Sequence, residues 1–136
     1  HGNIVAIKEA VADMQRVRDL ASTGLVVLSG DDPSACEAMR NGARGVISVA
    51  ANVVPARFKA LCDAALEGDA ERAREIDESL RPLYAFLAAE SNPIPVKWLL
   101  AEAGRIGPAL RLPLVGLDEE HHAAGRELLD RLARGT

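Results

Sequence analysis

Three apolar runs early in the chain end in residues that can do chemistry. Lys8 closes Asn3-Ile4-Val5-Ala6-Ile7 and is followed by Glu9-Ala10, the second run ends in Leu28-Ser29-Gly30-Asp31-Asp32, and the third is Gly45-Val46-Ile47-Ser48-Val49. A lysine at the C-terminal end of a buried strand is a candidate nucleophile. Among apolar side chains an amine is favoured in its neutral form, and a neutral amine adds to a carbonyl to give a Schiff base. The iminium then withdraws electrons and stabilises a carbanion or enamine at the adjacent carbon. The plainer reading of Lys8 is a side chain whose stem packs while its ammonium stays in water. Three strand ends directed at one place would form an active-site rim.

The other candidates also carry two readings. Within Ser29-Gly30-Asp31-Asp32 the serine and acids suit the cap of a following helix, whereas Gly30 and Asp31 suit the wall of a pocket that admits a second substrate. An acidic pair at a strand end also fits a phosphoacceptor, but that needs a metal constellation the sequence does not complete. Gly45-Val46-Ile47-Ser48-Val49 by itself is a core strand. His121 and His122 are adjacent on a helix and point different ways, so surface positions are expected and not a shared metal site.

The elements that must position these residues follow from hydrophobic period. The three runs read as strands buried on both faces, with helices expected over residues 11–21 and 33–40 between them. Strand-helix alternation implies crossovers and a parallel sheet, although three units cannot close a barrel. Beyond Pro55 every periodic segment is helical: a stripe through Phe58, Leu61, Cys62, Ala65 and Leu66; a helix after Gly68-Asp69 that Pro82 should kink; another from Asn92-Pro93-Ile94-Pro95 to Ala103; and a last one capped by Asp118 with Ala124, Leu128 and Leu132 inward. Residues 104–116 form a connector. The division expected is residues 1–67 for the strand-helix part and 68–136 for an all-helical part.

Bulk composition narrows the function classes. The 136 residues are 49% hydrophobic, 26% charged and 3% aromatic, which fits one soluble, helix-rich core. A net charge of -4 argues against a nucleic-acid or anionic-lipid partner. No apolar stretch approaches the ~20 residues that span a bilayer. Cys36 and Cys62 lack any paired spacing and read as reduced core residues of a cytoplasmic protein. The chain opens with His1-Gly2 almost directly into a strand, as a segment starting partway through a larger protein would.

In order, Ile7-Lys8-Glu9-Ala10, Leu28-Ser29-Gly30-Asp31-Asp32, Gly45-Val46-Ile47-Ser48-Val49, Asn92-Pro93-Ile94-Pro95-Val96-Lys97-Trp98 and Arg111-Leu112-Pro113-Leu114 resemble the dihydrodipicolinate synthase family, over nearly the whole chain. The Asn92 to Lys97 string favours this family over other pyruvate aldolases of the superfamily, such as the N-acetylneuraminate lyase type. The resemblance implies an α/β fold: the last three strand-helix units of a (β/α)8 TIM barrel, followed by a C-terminal helical domain. It implies that Lys8 forms the Schiff base with pyruvate, that Ile47 contributes to pyruvate binding chiefly through its backbone carbonyl, and that Gly30 and Asp31 lie by L-aspartate 4-semialdehyde. No metal or organic cofactor is implied, because the iminium is itself the electron sink, and a homo-oligomer, dimer or tetramer, is. The family's proton-relaying tyrosine, its carboxylate-holding threonines and the arginine at the pocket mouth match nothing here. Tyr84, the one tyrosine, stands in the helical part. The chain is therefore expected to contribute Lys8 without turning over alone. A self-associating, non-catalytic helical module is the alternative of a different class.

Overall fold

The computed structural model describes residues 1–134. Two short strands, β1 (Ala6–Glu9) and β2 (Val26–Ser29), pair in parallel, with Ala6 opposite Val26 and Lys8 opposite Leu28. Helix α1 (Met14–Ala21) makes the crossover between them, as the alternation requires. It begins later than the apolar period alone indicates because Asp13 caps it, accepting from the amides of Gln15 and Arg16; Val11 before it is exposed. Helix α2 (Ala35–Arg40) follows β2, likewise starting two residues past the expected Pro33.

The third expected strand is reduced to a single parallel bridge between Ser29 and Val46. The segment then leaves the sheet for a 3-10 turn at Ala50–Asn52. The reason lies across the sequence: Asp32 Oδ2 accepts from the amides of Val49 (3.1 Å) and Ala50 (2.8 Å), so these donors turn toward α2's approach and not into a ladder. The expectation of strands buried on both faces also fails for β1. Ile4 and Val5 precede the strand and are 57% and 66% exposed, since β1 has only one neighbour and helices cover only one face.

The helical layer is the better-packed part. α3 (Pro55–Glu67) ends at Gly68, whose φ of 83° is a conformation that favours glycine, and Asp69 then caps α4 (Ala70–Leu87) by accepting from the Arg72 amide. α4 passes through Pro82 unbroken. α5 (Ile94–Glu102) and α6 (His122–Arg134) complete the layer. Leu61, Leu80, Leu83 and Leu99 are fully buried, and one apolar cluster extends from Val17 and Val27 through these residues to Leu128.

Two details differ from expectation. Asp118 caps a short 3-10 turn, Glu119–His121, that leads into α6, and α6 turns Gly125 and Leu128 inward while Ala124 is exposed. His121 and His122 are half-buried, not surface residues: the His122 ring stacks on Trp98 at 4.8 Å and its Nε2 bonds the Leu117 carbonyl. Cys36 and Cys62 are free and half-buried, on α2 and α3, and burial pushes both thiols up from the ordinary value.

Candidate active site

The end of β1 is held by the residue after Lys8. Glu9 is buried, its Oε1 accepts from the Val11 amide at 2.9 Å, and its Oε2 is paired with the Arg16 guanidinium on α1. The Val11 amide and then the Arg16 contact hold the Glu9 carboxyl below its ordinary range. Alternation therefore sends Glu9 to the helix-covered face and Lys8 to the open one, where its side chain is exposed. The expected burial of Lys8 among apolar neighbours is not met within these residues, because nothing in them covers that face.

Gly30 lies against the Lys8 stem. Its amide donates to the Glu9 carbonyl at 2.8 Å, and a Cβ built on it would stand 2.4 Å from Lys8 Cε and 3.1 Å from Lys8 Cγ. A side chain at position 30 and the observed course of Lys8 are mutually exclusive. Ile47 is the third member: its amide donates to the Ser29 carbonyl at 2.8 Å, its side chain is half exposed, and among the described residues no donor reaches its carbonyl oxygen. Lys8, Gly30 and Ile47 thus stand on adjacent segments at one end of the sheet.

Asp31 behaves differently. Its Oδ2 accepts from the amide (3.1 Å) and hydroxyl of Ser34, and its own amide donates to Ser29 Oγ at 3.2 Å. This is the turn-capping role that the residue type offers, with the carboxylate committed to the approach of α2. Asp31 nevertheless lines a cavity of about 190 Å³ together with Gly30, Asp32, Val49, Tyr84 and Asn92. Two of these residues went unassigned in the sequence: Asn92, visible only as the start of a motif string, and Asp32, hidden because adjacent acids look alike until burial separates them. Tyr84 has no free hydroxyl for proton transfer. It is buried, donates to Asp77 Oδ1 at 3.3 Å, and is pushed far above the ordinary tyrosine range by burial first and by Asp77 and Asp32 next. A larger groove of about 580 Å³, bordered by Val53, Leu99, Arg105, Arg126 and Leu129, belongs to the helical layer and not to the end of the sheet.

The profile of the Dihydrodipicolinate synthetase family matches residues 1–132. The chain belongs to that family. Among curated relatives, the 4-hydroxy-tetrahydrodipicolinate synthases of Coxiella burnetii (strain RSA 493 / Nine Mile phase I) and Shewanella sp. (strain ANA-3) are 48% identical over 130 residues and 49% identical over 136. Those alignments cover 96% and 97% of this chain but 45% of each relative, so the chain spans about half the length of the curated relatives it matches. Two crystal structures of dihydrodipicolinate synthase agree. That from Aquifex aeolicus superposes with a TM-score of 0.93 at 43% identity over 97% of this chain and 46% of its own. The chloride-inhibited enzyme from Acinetobacter baumannii, complexed with pyruvate, gives 0.91 at 40% identity over 96% of this chain and 46% of its own. The α/β fold is thus that of dihydrodipicolinate synthetase family members. As for the membrane, no helix among the described residues is long and apolar enough to cross one.

Proposed function

We propose that this chain supplies the Schiff-base lysine and part of the pyruvate site of a 4-hydroxy-tetrahydrodipicolinate synthase. In this reading residues 1–67 are the last three strand-helix units of a (β/α)8 barrel, residues 68–136 are its C-terminal helical domain, and the remaining strands cover the open face of β1 and β2. The observation that carries it is the juxtaposition of the Lys8 stem on Gly30 beside the unbonded Ile47 carbonyl. Pyruvate's presence in the Acinetobacter baumannii relative supports the substrate class.

The chemistry then runs through Lys8. Its neutral Nζ adds to the C2 carbonyl of pyruvate, water leaves, and the resulting iminium acidifies the methyl group. Loss of a methyl proton gives the enamine, whose carbon forms the new bond to the aldehyde carbon of L-aspartate 4-semialdehyde. Covering the Lys8 face would favour the uncharged amine that the first step needs. Tyr84 takes no part, being committed to Asp77. The working enzyme is a cytoplasmic homo-oligomer in this reading, without metal or organic cofactor.

Pyruvate with borohydride tests it, on the 136-residue chain and on the complete gene product, followed by peptide mapping. An adduct on Lys8 that Lys8→Ala abolishes, a loss of at least about a thousandfold in turnover, is the expected outcome for the complete protein. Absence of an adduct from both proteins refutes the Schiff-base reading, and synthase turnover by the 136-residue chain refutes the assignment of essential groups to other strands. The aldehyde consumed separates this synthase from another pyruvate aldolase.

One observation favours a second reading for the isolated chain. Among the described residues β1 has a free edge, and Ile4 and Val5, 57% and 66% exposed, lead into it. Such an edge pairs readily with another copy. Sedimentation decides, because a stable monomer at high concentration excludes self-association.

A further inference from the structure

We propose that Asp32 is a positioning residue that fixes the Ile47 carbonyl for pyruvate, an inference that rests on the reading above. The observation is where the neighbouring backbone donors are committed. The Ile47 amide is held by the Ser29 carbonyl, those of Val49 and Ala50 by Asp32 Oδ2, that of Ala51 by Ser48 Oγ at 2.8 Å, and that of Asn52 by the Val49 carbonyl. The segment is pinned on both sides of Ile47 while the Ile47 carbonyl itself takes no donor among the described residues. An acceptor kept free in a segment anchored before and after it is preorganised for a ligand, since no hydrogen bond must break when the ligand arrives.

Asp32 is the anchor that reaches across the sequence. It is 8% exposed, seventeen and eighteen residues before the amides it holds, and its Oδ1 has no partner among the described residues. Two amides on one carboxylate oxygen are charge-assisted bonds, stronger than a neutral acceptor makes. Asp31 beside it serves its own turn instead. The two acids of Ser29-Gly30-Asp31-Asp32 therefore divide the work: Asp31 holds Ser34 in the turn before α2, and Asp32 ties the third segment to the end of β2.

The test compares Asp32→Ala and Asp32→Asn with the unaltered complete gene product. Half-saturating pyruvate and the limiting rate of borohydride trapping at Lys8 are measured, with amide hydrogen exchange on peptides covering residues 46–52. Asp32→Ala should raise half-saturating pyruvate by about tenfold or more, from loss of bonds to a charged acceptor, while the limiting rate changes less than about threefold and exchange across 46–52 quickens. Asp32→Asn keeps an acceptor oxygen and should restore both to within about threefold. Unchanged half-saturation in a folded Asp32→Ala protein overturns the proposal, as does an Asp32→Asn protein impaired as much as Asp32→Ala. If Asp32→Ala does not fold, Asp32→Asn decides alone: near-normal half-saturation and exchange support the positioning role, and raised half-saturation refutes it. No adduct on the unaltered protein would instead fell the Schiff-base reading, and this inference with it.

Discussion

The end of the sheet and the helical layer solve opposite problems with similar residues. In the layer, Leu61, Leu80, Leu83 and Leu99 have no exposed surface, while Ile4, Val5, Val26 and Ile47 at the sheet are 42% to 66% exposed. Burial removes apolar area from water and stabilises whichever element achieves it. The layer is self-sufficient in this respect and the sheet is not. Stability and the candidate site are thereby separated along the chain: side chains that hold the fold are largely helical, and the proposed site residues Lys8, Gly30 and Ile47 sit where packing is unfinished.

The largest test of that separation is a pair of truncations. Leu80→Ala should cost about 2–5 kcal/mol of unfolding free energy, whereas Val26→Ala should cost no more than about 0.5 kcal/mol, both read from denaturant melts of the 136-residue chain. Equal losses would break the comparison. Next is Gly125→Ala, where the new methyl would fall 2.3 Å from Trp98 Cζ3 and 2.8 Å from Phe86 Cζ. Two rigid rings cannot both yield, so a loss of about 1–3 kcal/mol is expected, read from the same melts.

Gly30→Ala is the matching experiment at the sheet, and its expected outcome differs. The nearest obstructing atom, Lys8 Cε at 2.4 Å, belongs to a flexible stem that can swing away, and Ala10 Cβ at 3.1 Å has to give by only a few tenths of an ångström, so stability should change little while borohydride trapping at Lys8 slows about tenfold in the complete protein. A stable variant with an unaltered trapping rate would show that the Lys8 course is irrelevant. The smallest effect concerns Glu9, whose folded carboxyl is held below its ordinary value of 4.5. Such a group binds protons more weakly folded than unfolded, so its contribution is present above about pH 4.5 and fades as pH falls through the lower folded value. Glu9→Gln should flatten that acid-side decline in melts taken from neutral pH downward.

The helical layer was legible in the sequence because its signals are local. Gly68 and Asp69 mark a stop and a start, and the period through Ala73, Ile76, Leu80 and Leu83 names the buried face of α4. Boundaries slipped where a cap overruled the period, as Asp13 does for α1. The third strand was not legible, because Val46 to Val49 has a strand's composition and only the distant Asp32 diverts its amides. At the site, the strand-end position of Lys8 could be read directly, but its exposure could not, since burial depends on what lies over a face. The motif resemblance pointed to Gly30 and Ile47; the three-dimensional structure alone separates Asp31 from Asp32.

Trp98, the chain's one tryptophan, is clasped by Phe86 at 6.0 Å, the His122 ring at 4.8 Å and the Arg126 guanidinium at 5.9 Å. Intrinsic fluorescence of this protein is therefore a spectroscopic gauge of the α5–α6 seam. Emission will follow the melting of that seam and will be nearly blind to events at Lys8.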